Sequence, residues 1–591
     1  MRSLPLAAGE LRVMTTDTKP GSFMRSLCMG EIEEDLIFPF PKMKEDERET
    51  LLQLKDSIRD WLKGRDADFK EWDAKGELPD AFLQEMKEFG LFSLVIPEEF
   101  GGLGFSATAY SRTIQELVQY DPSVTITAGA HSSIGMKGLL LYGTEEQKKR
   151  WLPKLATGEI IAAFCLTEPE AGSDAASLKT KAIREGEGWV LNGEKIWITN
   201  GGIADFFTVF ARTEGEKGQI TAFIVTRDME GVSTGPHEDK LGLRASSTVS
   251  VRLDNVRVGQ EHVIGEVGKG FKVAMTILNS GRTGLGGGAV GGMKKCIELA
   301  TKQAKERKQF GRPIADFGLI KQKVGHMVVE CYATEATVAI VAGMIDKGHE
   351  EYAVEAAISK VFASEAMWRT ADEALQIAAG MGYMKEAPYE RILRDARINR
   401  IYEGTNEILR LFISLSAMNE VGQQLREVKN VLGNVFEDPI KGFGLLSDYA
   451  KRRVTHVTGI GKALITKAHP VLKPYTQVFE ECTRNLSVAV DRILRKHGKA
   501  IIERQFATRR LGDIMIDLFV LACTISRVSS SLSEKGQDKV VYELEILAVL
   551  CGQVLRRVRG NFEKIDDNDD EIIKSLADHA FEAEKYSWDT I

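Results

Sequence analysis

Between residues 163 and 270 the chain changes texture, and that change limits what it can fold into. Short β-branched or aromatic runs parted by turn residues follow one another: Trp189-Val190-Leu191, Ile196-Trp197-Ile198, Phe206-Phe207-Thr208-Val209-Phe210 and Thr221-Ala222-Phe223-Ile224-Val225. A fifth, Thr248-Val249-Ser250-Val251-Arg252-Leu253, alternates polar and apolar as a half-buried strand does. On both sides the period becomes helical. Leu51, Leu52, Leu54, Ile58, Trp61 and Leu62 share one face, and Leu83, Met86 and Phe89 share another before Gly90. Residues 98–106 are too glycine-rich for a helix interior and read as a loop. Ala356, Ala357, Ile358, Val361, Phe362 and Ala366 recur as in a packed bundle helix. Around Gly433, Pro439, Gly442 and Gly444 the pattern breaks, which predicts a linker. Ile493, Leu494, Ile501, Ile502, Leu511, Ile514 and Phe519 then resume it. The expected architecture is mainly α with a central β domain. Its segments are a leader (1–45), a helical domain (46–162), the β domain (163–270), a helical bundle (271–418), a linker (419–469) and a further helical domain (470–591).

A chain of 591 residues exceeds one core. Its net charge of −7 argues against a nucleic-acid partner, which demands a basic face. The seven cysteines lie far apart without CxxC or ligand-spaced histidine, so they read as reduced thiols and no metal site is expected. No apolar run reaches the roughly 18 residues of a membrane span. At the N-terminus Arg2, Arg12 and Arg25 faintly suggest a transit peptide, but Glu10 and Asp17 spoil it, and a disordered leader or an upstream start is the preferred reading. Asp566 to Glu571 lacks the central glycine of a calcium loop and reads as a solvated turn.

Three segments carry chemistry. The first, Phe164 to Asp174, is a loop in which Thr167 and Ser173 can donate hydrogen bonds and Gly172 lets backbone amides approach a ligand. The second, Asn192 to Gly202, reads as a strand; alternation places Lys195, Trp197 and Thr199 on one face and Ile196 and Ile198 on the other. An indole beside a hydroxyl is a good bed for a flat heteroaromatic ring, though a core tryptophan with a solvated threonine is the preferred reading of that strand alone. The third is Arg400 to Glu407, a carboxylate, Glu403, boxed between Tyr402 and Gly404. Two features are set aside. Gly284 to Gly292 contains GxGxxG, but no strand precedes it, so it reads as close helix packing. His131 reads as a packed histidine.

Together these segments resemble the acyl-CoA dehydrogenases over about residues 46–418. Glu306 to Gly311, Gln376 to Tyr383 and Glu390 to Asp395 match further. Ile277 to Arg282 and the helical tail resemble the very-long-chain branch. The resemblance implies an N-terminal helical domain, a β-barrel-like middle domain, a four-helix bundle and an extra C-terminal helical domain. It implies FAD held by Phe164, Leu166, Thr167, Gly172, Ser173, Trp197, Ile198 and Thr199, with Thr199 near flavin N5. Arg307, Phe310, Gln376 and Gly380 would contact the adenosine-diphosphate half of FAD bound by the neighbouring subunit. Thr405, Asn406 and Glu407 would cover more of the cofactor. Ser173, Asn279, Arg282, Tyr402 and Gly404 would line the acyl-CoA, and Glu403 would be the base. One departure stands out: Ala379 occupies the place of a family glycine, where its methyl could crowd that FAD contact.

The implied reaction is α,β-dehydrogenation of a long- to very-long-chain acyl-CoA, the first step of fatty acid β-oxidation. Glu403 would take the α-proton while the β-hydrogen leaves as hydride, giving a trans-2-enoyl-CoA. In the family the thioester oxygen is held by the base's own N–H and a flavin ribityl hydroxyl. Electrons would pass to an electron-transfer flavoprotein, and the enzyme would be a homodimer, cytoplasmic if bacterial and mitochondrial if eukaryotic. An acyl-CoA oxidase, or an assembly protein on the same fold, is the alternative. Ala128, Gly129, Ala130, Gly135 and Gly138 leave room for a long acyl tail or simply let helices pack. Phe443 to Arg453 joins apolar residues to a basic cluster, a candidate membrane-facing segment or an ordinary linker.

Overall fold

The computed structural model describes residues 21–213, 219–423, 425–426 and 464–590. The linker centre at 428–460, with Phe443 to Arg453, lies outside them, as do Arg2, Glu10, Arg12 and Asp17. The N-terminal helices are α2 (Glu45–Leu62), α3 (Asp66–Lys75), α4 (Asp80–Glu88), α5 (Ala107–Leu117), α6 (Pro122–Gly129), α7 (Lys137–Tyr142) and α8 (Glu145–Thr157). Leu51, Ile58 and Leu62 are buried as their spacing requires, whereas Leu52 faces solvent.

The middle of the chain forms an eight-stranded sheet ordered β6-β7-β3-β2-β4-β5-β8, with β1 pairing β4. Its strands are β1 (Ala162–Cys165), β2 (Lys181–Glu185), β3 (Gly188–Thr199), β4 (Phe206–Thr213), β5 (Ile220–Thr226), β6 (Val232–Thr234), β7 (Thr248–Val258) and β8 (Val263–Ile264). The bundle follows: α9 (Gly270–Glu306), α10 (Gly318–Asp346), α11 (Ala353–Ala378), the short α12 (Gly380–Tyr383), α13 (Tyr389–Arg397) and α14 (Asn406–Ala417). Helices α15 (Lys473–His497), α16 (Gln505–Lys535), α17 (Val541–Asp566) and α18 (Asp570–Ala583) form the additional domain.

The glycine cluster is interior to α9, where it lets helices approach. A Cβ at Gly287 would fall 2.8 Å from Ser111 O, and one at Gly291 2.3 Å from Gln115 O, so α5 lies against bare backbone. Gly286 abuts Ser359 and Gly292 abuts Met367, which makes α9 and α11 parallel neighbours. α10 is long and apolar enough to cross a membrane, contrary to the expectation that no such run exists, yet 67% of that stretch is buried inside the protein. All seven cysteines are free and buried. The acidic run is exposed, as a solvated turn should be, except at Asp570, which opens α18 and accepts two hydrogen bonds from Arg510, at 2.7 and 2.6 Å.

The leader expected over residues 1–45 is corrected from Ser22 onward. Phe23, Met24, Leu27 and Cys28 form one face of α1 (Phe23–Met29), buried in the core that joins the bundle to α15 and α16. The carboxylate of Glu355, on α11, accepts from the Ser22 hydroxyl at 2.7 Å and from Met24 N–H at 3.0 Å, the latter satisfying one amide that a helix start leaves open.

Candidate active site

Glu403 lies in the short connection between α13 and α14, at φ +56°. Two cations hold that connection by its main chain. Arg282, from α9, donates through Nε and Nη2 to Glu403 O, both at 3.4 Å, while its Nη1 donates to Asn279 Oδ1 at 2.7 Å. Lys360, from α11, donates to Gly404 O at 2.8 Å and Asn406 Oδ1 at 2.9 Å. Tyr402 Oη donates to Asn399 Oδ1 at 2.6 Å, and Thr405 caps α14 by accepting from Ile408 N–H. The loop is therefore fixed on both sides of the carboxylate, leaving the carboxylate itself uncommitted.

The carboxyl enters one end of a cavity of about 1020 Å³. Its Oε2 is enclosed and has no hydrogen-bond partner among the described residues. A Cβ at Gly281 would stand 3.1 Å from Oε1, so a glycine is what seats the group. Burial lifts the Glu403 carboxyl to about 7 against the pull of Arg282 and Lys360. Burial likewise lowers Lys360 to about 7, despite the attraction of Glu403. Burial also raises the phenols of Tyr110 and Tyr402. A carboxylate that binds its proton near neutral pH, with one oxygen unspent, is poised to act as a base.

The wall between this cavity and the sheet is α6 with the π-helical turn Ala130–Gly135. Gly129, Ala130, Ser133 and Ile134 face the cavity. From the sheet, Ala162 N–H donates to His131 Nδ1 at 3.0 Å, Thr208 Oγ1 to Gly135 O at 2.7 Å and Asn200 Nδ2 to Thr127 O at 2.9 Å. His131 is thus the packed residue expected. Of the small residues read as a channel, Gly129 and Ala130 line the cavity, whereas Ala128 is core and Gly135 and Gly138 serve close packing.

The strand carrying Trp197 departs from simple alternation. β3 bulges between Lys195 and Ile198, with Trp197 at φ +57°. The indole is 64% exposed while Lys195 is buried, so the two do not share a face. Lys195 points inward, donating to Glu168 Oε1 at 2.7 Å and Leu166 O at 3.2 Å. Glu168 also accepts from the Thr180 and Lys179 amides. Burial alone would raise Glu168, but Lys195 and these donors hold it below the usual carboxylate range. This ion pair pins the loop that carries Thr167, Gly172 and Ser173.

Phe164, Leu166 and Ile198 put their side chains into hydrophobic cores, leaving their main chain for any ligand. Asn406 is buried, its amide donating to Ser364 Oγ and Glu365 Oε1 at 3.0 Å each, so its side chain is turned away from solvent. Glu407 is exposed. Arg307, Phe310, Gln376, Ala379 and Gly380 are exposed together where α9 and α11 end, Phe310 by 94%. The 25 residues of α9 between Gly281 and Glu306 put roughly 37 Å between that end and Glu403. Sequence reasoning missed Lys360 and Tyr110. Lys360 sits on a helical face that reads only as core, and nothing local marks either one.

Family profiles match nearly the whole chain: the acyl-CoA dehydrogenase N-terminal domain at residues 48–159, the middle domain at 163–256, the C-terminal domain at 268–418 and the ACAD9/ACADV C-terminal domain at 470–586. The chain belongs to the acyl-CoA dehydrogenase family and is an oxidoreductase acting on acyl-CoA. It is 42% identical over 550 residues to the very long-chain specific acyl-CoA dehydrogenase, mitochondrial, of Homo sapiens, covering 91% of this chain and 83% of that one. A probable acyl-CoA dehydrogenase of Bacillus subtilis is 34% identical over 509 residues, 81% of this chain and 80% of that one. Among solved structures, the acyl-CoA dehydrogenase complexed with FAD from Bacillus anthracis superposes with a TM-score of 0.79 at 32% identity, covering 94% of both chains.

FAD is the family's cofactor, and the residues present fit it. The Trp197 indole stands out from the sheet beside Thr199. Among the described residues, the hydroxyls of Thr167, Ser173 and Thr199 engage no other protein group. A Cβ at Gly172 or Gly380 would have no described atom within 4 Å, so backbone there is open to close approach.

Proposed function

We propose that the chain removes hydrogen from the α and β carbons of long- to very-long-chain acyl-CoA, giving a trans-2-enoyl-CoA. The observation that carries this is the Glu403 carboxyl, raised to about 7, with an unpartnered oxygen at one end of a long cavity. Glu403 takes the α-proton. Filling the cavity with an acyl chain excludes water and strengthens the carboxylate as a base. Arg282 and Lys360 hold the loop through Glu403 O and Gly404 O, which keeps the Glu403 N–H oriented to donate to the thioester oxygen as its negative charge grows. Bound FAD, held by Thr167, Ser173, Trp197 and Thr199, supplies the acceptor for the β-hydrogen as hydride.

The shape of the cavity supports a long acyl chain. It accompanies α9 from Gly281 to Leu299, which is roughly 27 Å at 1.5 Å per residue. One leaflet of a bilayer core about 30 Å thick holds a lipid tail in about 15 Å, so the cavity exceeds an ordinary tail. The distance between Glu403 and the Arg307, Phe310, Gln376 and Gly380 surface supports a homodimer in which that surface meets the partner's FAD. The exposed Leu319, Met381, Tyr383 and Met384 near it offer apolar area for the contact. An electron-transfer flavoprotein would be the partner that accepts the electrons FAD would hold beside Trp197 and Thr199.

A steady-state series over acyl-CoAs of increasing length, with a dye acceptor, tests this. Activity that peaks at palmitoyl-CoA or longer is expected, and Glu403→Gln retains the yellow flavin without bleaching by substrate. Full bleaching in that variant, or no turnover of any long thioester, overturns the reading. Peroxide release in air without added acceptor would instead mark an oxidase.

A further inference from the structure

We propose that the Glu403 cavity is a tunnel with a second mouth, between α3 and the start of α13, through which the tail of an overlong acyl chain passes into water. The proposal rests on the acyl-CoA reading above and deepens it: the length of the cavity sets no upper limit on the substrate class.

Two helices give the cavity its direction. A Cβ at Gly284 of α9 would stand 3.2 Å from the Tyr110 ring, one at Gly288 3.7 Å from Ile114 and one at Gly291 2.4 Å from Val118. Successive turns of α9 therefore face successive turns of α5, and both lead away from Glu403, whose carboxyl lies against Gly281. Along that line the lining passes from enclosed to open. Tyr110, Ile114 and Gly284 are buried, whereas Val118, Lys295 and Leu299 are half-buried. Beside Leu299, whose carbonyl accepts from Tyr389 Oη at 3.2 Å, the wall is Lys385, Glu386 and Pro388, all exposed.

Helix α3 is the informative wall. The residues it gives to the cavity, Asp66, Ala67, Lys70, Asp73 and Ala74, share one face by helical spacing. That is its solvent face: all but the half-buried Asp73 are exposed. The buried side chains of α3, Phe69 and Trp72, turn instead into the core shared by the N-terminal helices and the sheet. A blind hydrocarbon pocket ends on buried apolar side chains, but this one runs out onto charged groups that water already solvates. Lys70 and Lys385 can lay their methylene stems along an emerging tail while their ammonium groups stay in water.

From Gly281 to Leu299 helix α9 rises roughly 27 Å, and an extended chain advances about 1.25 Å per carbon, so roughly twenty carbons fill the tunnel. Inside, each further methylene leaves water, which is worth up to about a fourfold gain in affinity. Past the mouth a methylene stays in water and contributes nothing in either direction.

The test uses the holoenzyme with a dye acceptor and saturated thioesters from palmitoyl through arachidoyl and lignoceroyl to montanoyl, delivered from cyclodextrin. kcat/KM is expected to climb to arachidoyl-CoA and then stay within about twofold through montanoyl-CoA. A closed end would instead cost about tenfold or more beyond arachidoyl, because an overfilled cavity must strain or expel the chain. Such a fall, with palmitoyl-CoA turned over normally, overturns the inference alone. Glu403→Gln holoenzyme, expected to bind without turnover, locates the tail. A montanoyl thioester with a diazirine on its penultimate carbon should cross-link on illumination to residues 66–74 or 385–388, and a palmitoyl probe to α5 or α6. Montanoyl cross-links confined to α5, α6 and α9 overturn the second mouth. Failure to oxidise palmitoyl-CoA overturns the acyl-CoA reading beneath it.

Discussion

Replacing Glu403 by glutamine should stabilise the protein while silencing it, and the gain should depend on pH. The carboxyl rises from 4.5 to about 7 on folding, chiefly through burial. At about 1.4 kcal/mol per pKa unit, the shift corresponds to roughly 3 kcal/mol, a ceiling because the cavity admits water to the side chain. The native state binds this proton more tightly than the unfolded chain does. Its stabilising contribution is therefore complete below about 4.5 and is lost as pH rises through about 7. Glutamine does not titrate and keeps the shape. Relative to wild type, Glu403→Gln should gain stability between pH 5 and pH 8, by up to about 3 kcal/mol. Urea unfolding of both holoproteins, with FAD in equal excess at each pH, measures the difference. An offset that does not change with pH, or that falls as pH rises, refutes the claim that the native carboxyl is held near neutrality by burial.

Arg282 lowers the Glu403 carboxyl, so Arg282→Gln should move the acidic limb of the kcat/KM–pH profile above about 7; a limb that stays or moves down contradicts this. Lys195→Met leaves Glu168 buried without its cation and should cost about 3–5 kcal/mol and weaken FAD retention, read by thermal unfolding and flavin release. Ala379→Gly should stabilise by about 1 kcal/mol, because strain at φ +53°, ψ −133° outweighs the entropy of the added glycine; a lower melting temperature would show that the methyl is well accommodated. Gly288→Ala places its Cβ 3.7 Å from Ile114, an ordinary contact. It should raise helix stability by about 1 kcal/mol while reducing turnover of the longest thioesters, measured by denaturation and the chain-length series.

How much of this was legible depended on how local the signal was. The five strong β runs fall in strands β3, β4, β5 and β7, because branched and aromatic residues mark a pleated surface wherever it packs. β1 and β2 escaped. Ala162 to Cys165 has no β-branched residue, and Lys181 to Glu185 buries only Ala182. α1 was misread because its composition resembles a leader, although Phe23, Met24, Leu27 and Cys28 hold helical spacing; its partners stand hundreds of residues away on α11, α15 and α16. Within the site, Glu403 and Trp197 announced themselves by their neighbours. The inward turn of Lys195 did not, because one bulge resets alternation and nothing in the residue string marks it. Lys360 and the glycine seat at Gly281 are facts of assembly: their meaning exists only once α9 and α11 run side by side.

Backbone strain ties these observations together. Eight non-glycine residues among those described adopt positive φ, and four of them are Trp197, Phe310, Ala379 and Glu403. Each belongs to a segment proposed to meet cofactor or substrate, and a residue in that conformation costs roughly 1–3 kcal/mol unless its surroundings insist on it. At Glu403 they do: Arg282 and Lys360 grip the carbonyls of residues 403 and 404, and Thr405 starts a helix immediately after. At Trp197 the bulge is flanked by the Glu168–Lys195 pair on one side and the Asn200 bonds to α6 on the other. Buried cations and caps thus hold two short segments in conformations that they would leave if free. An indole and a carboxyl, carried by different domains, are thereby presented outward, while the polar groups that fix them stay inside. The stability given up at these points accompanies a carboxylate kept unpaired; glutamine at 403 should recover the cost of the buried carboxylate, whereas the backbone strain stays with any side chain that has a Cβ.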